Sequence, residues 1–249
     1  EWLAELATQV ANNLTIKTMC VQWGCYPFKT PRSSLYFNSS NYFLSWGNFF
    51  SKQLGRYNKS TKFLNFGYPA DKKNFKKNDV IIIFGFNPSE IFKEKNLNDL
   101  YNLAFKLAKQ LPNYKVYFRN HPSIKNINYS EKDLFKKKLP NLSLDTNSQP
   151  YELLSKSKIC IGCYSSLLTE SIYYDTVPIA YNFNENMSYY PSFKKYKIGF
   201  EATNINDLEK YIINLSTKEN LYKELIKSII KQKKTFFDTK KNINRNLKY

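Results

Sequence analysis

The chain has 249 residues, of which 42% are hydrophobic and 17% aromatic. This composition supplies a packed core and excludes an intrinsically disordered chain. Its 38 Lys and Arg residues outnumber 20 Asp and Glu residues, which gives a formal net charge of +18. Such a surplus favours anionic partners, namely nucleotides, phospholipid headgroups or nucleic acid. The alternative is a compositional bias, since Lys, Asn, Ile, Tyr and Phe are abundant along the whole chain.

The first 70 residues alternate between helical and strand patterns. Helices are predicted at 2–13 and 47–54, and strands at 15–22, 41–46 and 62–66. The chain opens on Glu rather than Met, directly in a helical pattern, so we interpret it as a fragment of a longer protein. No signal peptide is visible, and no apolar run approaches the roughly 20 residues that cross a bilayer. The basic run DKKNFKKND at 71–79 has no apolar period and predicts a domain boundary.

The rest of the chain alternates short apolar strands with helices. The predicted strands are 80–84, 115–119, 142–144, 158–162 and 177–181. The predicted helices are 97–111, 131–139, 150–156, 166–175, 206–215 and 218–236, with a loop at 184–197. Asn206 is the expected N-cap of its helix, with Glu209 as the partner in a capping box. Alternating strands and helices predict a parallel sheet covered by helices.

Ligands of open parallel sheets bind beyond the carboxyl ends of the strands, so the residues that follow each strand are the candidates. Gly85 and Asn87 follow the strand at 80–84, where glycine admits close backbone approach or serves the turn alone. His121, the only histidine, follows the strand at 115–119 and is either structural or functional. Arg119 lies two residues earlier and would share a side with His121 in an extended chain.

Two serines follow the strand at 158–162. Ser165 or Ser166 can cap the next helix, and its free N–H groups, its dipole and two hydroxyls make an anion site. The alternative is a plain N-cap. Glu170 lies one turn further along the same helix face, where a carboxylate can accept ribose hydroxyls.

Cys160 and Cys163 form a C-x-x-C pair without a second metal-like pair. The run KICIGC is typical of a buried strand, so we expect reduced structural thiols rather than a zinc site. No carboxylate cluster suited to Mg²⁺ is visible either.

Two segments carry a family resemblance, VYFRNHP (116–122) and CIGCYSSLLTESIYYDTVPIAY (160–181). They resemble the carboxy-terminal half of GT-B glycosyltransferases that build bacterial surface polysaccharides. The His-Pro and Ser-Ser pairs are similar to motifs of bacterial sialyltransferases, polysialyltransferases and capsule Kdo transferases, and more distantly of teichoic-acid glycerophosphotransferases. The stretch VQWGCYPFKTP…NYFLSWG…FLNFGYP (21–69) resembles the end of a first lobe. The resemblance covers about residues 15–215.

The resemblance implies an α/β, GT-B-like fold with a Rossmann-like doubly wound parallel sheet, in which part of a first lobe precedes a complete nucleotide-binding lobe. The expected domains are an acceptor-side remnant at 1–70, a linker at 71–79, the donor-binding lobe at 80–217, and a C-terminal helix and basic tail at 218–249. The first lobe of such enzymes often carries an acidic-acidic-Gly motif. That motif is not found in this sequence, so the catalytic base is unassigned.

The implied activity is an inverting, metal-independent transfer of a sugar from a nucleotide-activated donor, with CMP-sugars favoured, to a growing surface glycan or lipid-linked acceptor. The alternatives are a CDP-glycerol or UDP-sugar transferase of the same fold, or a non-catalytic nucleotide-sugar-binding subunit. The nucleotide-sugar is a substrate, so no cofactor and no metal are expected. Nucleic acid is not expected as a partner, because no recognised binding motif accompanies the charge. The expected location is the cytoplasm, with peripheral contact at the anionic inner face of the membrane as an option.

The resemblance also assigns roles to the strand-end residues. His121 would be the catalytic residue, hydrogen-bonded to the donor phosphate. Ser165, Ser166 and Arg119 would bind that phosphate. The nucleotide contacts would come from Gly85, Asn87 and Glu170.

Overall fold

The computed structural model describes residues 2–24, 38–70, 76–88, 93–122, 124, 135, 139–183 and 191–238. Its contacts divide the chain into two compact units. The first unit comprises Glu1–Asp71 together with Lys231–Tyr249, and the second comprises Lys72–Ile230. Residues 231–238 therefore group with the first unit, although they follow the second unit in sequence.

The first unit contains a small parallel sheet with strand order β1-β2-β3. Its elements in this part of the chain are α1 (Trp2–Asn13), β1 (Met19–Val21), β2 (Tyr42–Ser45), α2 (Asn48–Leu54) and β3 (Lys62–Asn65). Phe43 on β2 and Leu54 on α2 are buried together, with Cys20 and Phe63 packed against them. The sequence patterns predict each of these elements, with β1 shorter than the predicted strand.

An aromatic core joins the end of the chain to this unit. Trp46 packs against Tyr68 at 5.1 Å and Phe50 at 5.5 Å between ring centroids, and against Phe237 at 6.0 Å. Gly47 is required here, because a Cβ at that position would lie 2.5 Å from the backbone oxygen of Phe236. Residues 236–238 therefore lie directly on the turn between β2 and α2.

Within the described residues, the second unit contains a sheet of six parallel strands. Its strands are β4 (Val80–Phe84), β5 (Lys115–Arg119), β6 (Leu142–Leu144), β7 (Ile159–Gly162), β8 (Val177–Tyr181) and β9 (Phe200–Ala202). Its helices are α3 (Glu94–Gln110), α4 (Pro150–Lys156), α5 (Ser166–Tyr173), α6 (Phe193–Tyr196) and α7 (Ile205–Thr217). The last helix, α8 (Glu219–Phe236), begins in this unit, and its residues from Lys231 belong to the first.

The strand order of this sheet is β6-β5-β4-β7-β8-β9. Numbered from β4, this is the order 3-2-1-4-5-6 of a doubly wound Rossmann sheet. The chain winds outward from β4 to one edge and then crosses over to β7, so the winding direction reverses between β4 and β7. Ligands of such sheets bind in the crevice at that switch point, outside the carboxyl ends of the strands.

Hydrophobic burial explains the central strands. Every residue of β4, β7 and β8 is buried, as expected for parallel strands covered on both faces. In β5 only alternate residues are buried, and Phe118 stacks on Tyr101 of α3 with 4.3 Å between ring centroids. These packing contacts hold the strand ends in fixed positions at one edge of the sheet.

The structure departs from the sequence predictions in the last third of the chain. The strand β9 and the short helix α6 were not predicted, because FEA is short and contains a charge and FKKY lies within a polar loop. The N-cap assignment to Asn206 is wrong, since the side chain of Asn204 accepts from Asp207 N at 2.9 Å. Glu209 forms an ion pair with Lys106 at 2.7 Å instead of a capping box. The predicted helix at 131–139 lies almost wholly outside the described residues.

None of the helices in the described part of the chain combines the length and the apolar character that crossing a membrane demands.

Candidate functional site

Three strand ends lie side by side at the switch point. Phe84, the last residue of β4, is the register partner of both Arg119 on β5 and Gly162 on β7. Neighbouring strands are about 4.8 Å apart, so the segments that follow these residues leave the sheet in one row roughly 10 Å wide. The row therefore brings together the turn after Gly85, the turn around His121 and the serine turn before α5.

The serine turn is built around the start of α5. Ser165 is the N-cap, and its Oγ accepts a hydrogen bond from Leu167 N at 3.3 Å. Leu168 N donates to the Ser165 carbonyl at 3.1 Å. Because Ser165 Oγ acts here as an acceptor, its hydroxyl hydrogen can still be donated to a ligand. The positive end of the helix dipole and the first-turn amides face the same direction.

Ser166 connects this turn to a buried carboxylate. Its Oγ donates to Glu170 Oε1 at 2.7 Å, one helical turn further along α5. Glu170 is only 2% exposed. A buried carboxylate requires hydrogen-bonding partners, so the pair fixes the Ser166 side chain at the helix start. The direct contact of Glu170 with ribose stays a prediction.

Tyr164 holds an unusual backbone conformation immediately before the N-cap. Its φ angle is 50°, in the left-handed region that bulky residues seldom occupy. This conformation turns the chain sharply from the end of β7 into α5. Glycine adopts this conformation without a steric cost, so the tyrosine bears the strain and supplies an aromatic ring that glycine would lack.

The turn after β4 is tightly packed at its first residue and open further on. Gly85 N donates to the carbonyl of Arg119 at 2.8 Å. A Cβ at Gly85 would lie 3.1 Å from the ring of Phe118 and 3.3 Å from Leu97, so packing alone accounts for a glycine at this position. Asn87, two residues further on, is exposed.

His121 follows β5 as an exposed side chain at the sheet edge. Partial desolvation lowers its pKa below the ordinary value, which favours the neutral imidazole. A neutral imidazole offers one donor and one acceptor rather than a full positive charge. The turn is closed by a hydrogen bond from Ile124 N to the His121 carbonyl at 2.9 Å.

Arg119 contacts the loop after β6. Its Nη1 donates to Asp145 Oδ2 and to the carbonyl of Ser148, each at 2.5 Å. Asp145 Oδ1 accepts from Ser148 N at 3.2 Å, which completes a closed arrangement. In this structure Arg119 therefore ties the ends of β5 and β6 together, and its contact with a donor phosphate stays a prediction.

Sequence reasoning missed an aromatic cluster at the same edge, formed by Phe86, Tyr164, Tyr181 and Phe183. The Phe183 ring lies 5.6 Å from Phe86, 5.9 Å from Tyr164 and 5.4 Å from Tyr181, centroid to centroid. The available signal was an aromatic residue within two positions of the end of three different strands.

Two cysteines lie on β7 and directly after it, at the same end of the sheet. Cys160 and Cys163 are buried free thiols, and burial raises the pKa of both well above the usual range. Within the described ranges, no group of three or more His, Cys, Asp and Glu side chains is arranged to hold a metal ion.

No protein-family model matches the chain, and no curated protein matches it. Solved structures do match. S. aureus MnaA in complex with UDP is 12% identical with a TM-score of 0.67, over 97% of this chain and 70% of that one. The wall teichoic acid polymerase TagF is 14% identical with a TM-score of 0.61, over 94% of this chain and 70% of its own. The UDP-GlcNAc 2-epimerase from Neisseria meningitidis, bound to UDP-GlcNAc, is 14% identical with a TM-score of 0.62, over 88% of this chain and 67% of that one. At these identities the likeness establishes the fold, and the predicted GT-B-like α/β architecture is confirmed.

Proposed function

We propose that the second unit binds a nucleotide-activated sugar at the switch point of its sheet, and that the chain is part of a glycosyltransferase acting on a surface glycan or lipid-linked acceptor. The register of Phe84 with Arg119 and Gly162 carries the proposal. It aligns His121 with the serine turn at the edge where doubly wound sheets bind ligands.

The donor phosphate would bind at the start of α5. The Ser165 hydroxyl, the Ser166 amide and the helix dipole supply donors and positive potential without a metal ion. Their positions are fixed before the ligand arrives, because Ser165 is the N-cap and Ser166 is held by Glu170. Such preorganised donors stabilise the charge that develops on a leaving phosphate. We therefore propose a metal-independent reaction.

His121 would contact the same phosphate from the neighbouring strand end. In the free protein its pKa is lowered, so it approaches the phosphate as a neutral hydrogen-bond donor. An adjacent phosphate raises the pKa of an imidazole, and the protonated form then offsets charge on the leaving nucleotide. Asn87, two residues beyond Gly85, would contact the nucleotide from the side of the site formed by the end of β4.

The donor we favour is a CMP-sugar, on the strength of the His-Pro and Ser-Ser motifs. UDP-sugars and CDP-glycerol are the alternatives, and the names of the matched MnaA and Neisseria meningitidis epimerase structures include UDP or UDP-GlcNAc. A thermal-shift panel of CMP, CDP, UDP and GDP separates them, because a ligand that binds only the folded state at 100 times its Kd stabilises by about 2.7 kcal/mol. We expect one pyrimidine nucleotide to raise the melting temperature most. No shift with any of the four would contradict the proposal.

His121→Ala is expected to abolish transfer and to leave the fold intact. Loss of one preorganised donor to the transition state costs roughly 2.7–4 kcal/mol, about 10²–10³ in turnover. Since the side chain is exposed, the melting temperature of the free protein should stay close to that of the wild type. Initial rates of nucleotide release provide the measurement, and wild-type rates in the variant would remove the catalytic role.

An epimerase is the second candidate, because a UDP-GlcNAc 2-epimerase shares the fold. The two activities differ in their products. A transferase releases the nucleotide only when an acceptor is present, whereas an epimerase changes the sugar without an acceptor. NMR of the donor after incubation distinguishes them, and binding without either product would identify a non-catalytic binding subunit.

A further inference from the structure

We infer that the aromatic cluster is the platform on which the sugar ring of the nucleotide-sugar stacks. This inference rests on the proposed function. It assigns a binding site to the sugar ring, since the serine turn and His121 contact only the phosphate. The cluster spans the ends of β4, β7 and β8, which are neighbours in the sheet. It therefore lies at the switch point itself, on the opposite side of β4 from His121.

Phe183 is the centre of the cluster. It contacts the other three rings, and Tyr164 meets it edge to face with an interplanar angle of 89°. Phe86 and Tyr181 are buried and form the base, whereas Tyr164 and Phe183 are only partly buried. The ring surface that a ligand can reach therefore belongs to Tyr164 and Phe183. Concave sites commonly use such rings with a few placed polar groups.

The backbone of Tyr164 adds a second observation. The residue keeps a large side chain at a φ angle of 50°, where glycine or asparagine would fit without strain. Strained residues of this kind concentrate at ligand sites, because the surrounding structure must enforce them. The strain here places the ring one residue before the N-cap of the phosphate-binding helix.

The order of residues along the turn selects the sugar rather than the base. Tyr164 precedes the phosphate site at Ser165 and Ser166, and Glu170 follows it by one turn of α5. If the ribose extends toward Glu170, the other substituent of the phosphate extends toward Tyr164. That substituent is the transferred sugar, and the C–H face of a pyranose packs on the electron-rich face of an aromatic ring.

Tyr164→Gly tests the platform because it removes the ring while keeping the backbone conformation. Calorimetric titration of UDP and UDP-N-acetylglucosamine, and of CMP and CMP-sialic acid, gives the affinities. We expect the variant to bind the nucleotide-sugar about three- to tenfold more weakly, a loss in the range of one aromatic contact. Binding of the free nucleotide should change less than about twofold on the same reasoning. Phe183→Leu should show the same selectivity.

Lys197→Gly is the matched control, since Lys197 is exposed and has a φ angle of 54° outside the cluster. Lys197→Gly should melt at or above the wild-type temperature, because it relieves a left-handed residue. In Tyr164→Gly the same relief is offset by the lost ring contact with Phe183, so its melting temperature is measured alongside its affinities. Only Tyr164→Gly should lose nucleotide-sugar affinity. Wild-type affinity in Tyr164→Gly, or an equal loss for nucleotide and nucleotide-sugar, would overturn the platform. If the unaltered protein bound none of the four ligands, the proposed function would fall and this inference with it.

Discussion

At the scale of single residues, Ser165 combines two roles that different substitutions separate. Its Oγ caps α5 through Leu167 N, and its hydroxyl hydrogen is the proposed phosphate donor. Ser165→Ala should lower the free energy of unfolding by about 1 kcal/mol, the usual value of an N-cap side chain. Ser165→Gly should lower the free energy of unfolding by only a few tenths of a kcal/mol, because glycine is tolerated at the N-cap.

Urea unfolding of both variants, with nucleotide titration, measures the two roles. Both variants should bind the nucleotide more weakly by a similar factor, since both lack the hydroxyl. If Ser165→Gly instead bound the nucleotide nearly as well as the wild type and only Ser165→Ala bound it weakly, Ser165 would act only as the N-cap and not as a phosphate donor.

The chemistry of individual residues was predictable where it depends on near neighbours in sequence. The N-cap role of Ser165 and the pairing of Ser166 with Glu170 follow from helix periodicity, since their partners are two and four residues away. The partner of Arg119 was not predictable, because Asp145 lies 26 residues further on and reaches it only through the pairing of β5 with β6. The left-handed conformation of Tyr164 has no signature in the sequence.

At the scale of elements, the end of α8 is a structural part of the first unit. Phe236 is fully buried and lies 5.0 Å from Phe49, ring centroid to centroid. Phe236→Ala should therefore cost about 3–5 kcal/mol, the usual range for a buried phenylalanine. Ile230→Ala, on the same helix at a residue 57% exposed, should change stability by less than about 0.5 kcal/mol. Equal effects of the two substitutions in chemical denaturation would show that residues 236–238 contribute no core.

Elements were predictable in proportion to their apolar pattern. The run VIIIF becomes β4 with its predicted boundaries, because a strand buried on both faces has to be apolar throughout. In contrast, β9 has only three residues, one of which is a glutamate, and it is recognisable only from its pairing with β8. The capping error has a similar origin. Asn204 and Asn206 are both plausible caps in sequence, and the end of β9 at Ala202 determines which one starts the helix.

At the scale of the whole molecule, the sequence pattern predicted a parallel sheet covered by helices and the family resemblance implied that it is doubly wound, but neither predicted the strand order. Alternating patterns identify strands and helices, and right-handed crossovers restrict the topology. The position of β7 beside β4 depends on contacts between residues about 80 positions apart, such as Ile82 with Cys160. That adjacency defines the switch point, so the aromatic cluster became visible only in three dimensions.

The net charge of +18 leads to a prediction for the whole molecule. If the charge serves docking near lipid-linked acceptors, the protein should sediment with vesicles containing phosphatidylserine and not with pure phosphatidylcholine vesicles. Each basic residue near an anionic surface contributes about 1 kcal/mol. Binding should be lost between 0.1 M and 1 M salt, because the Debye length falls from about 10 Å to about 3 Å. Binding that persists in high salt would require an apolar contact, and no binding at low salt would assign the charge to compositional bias.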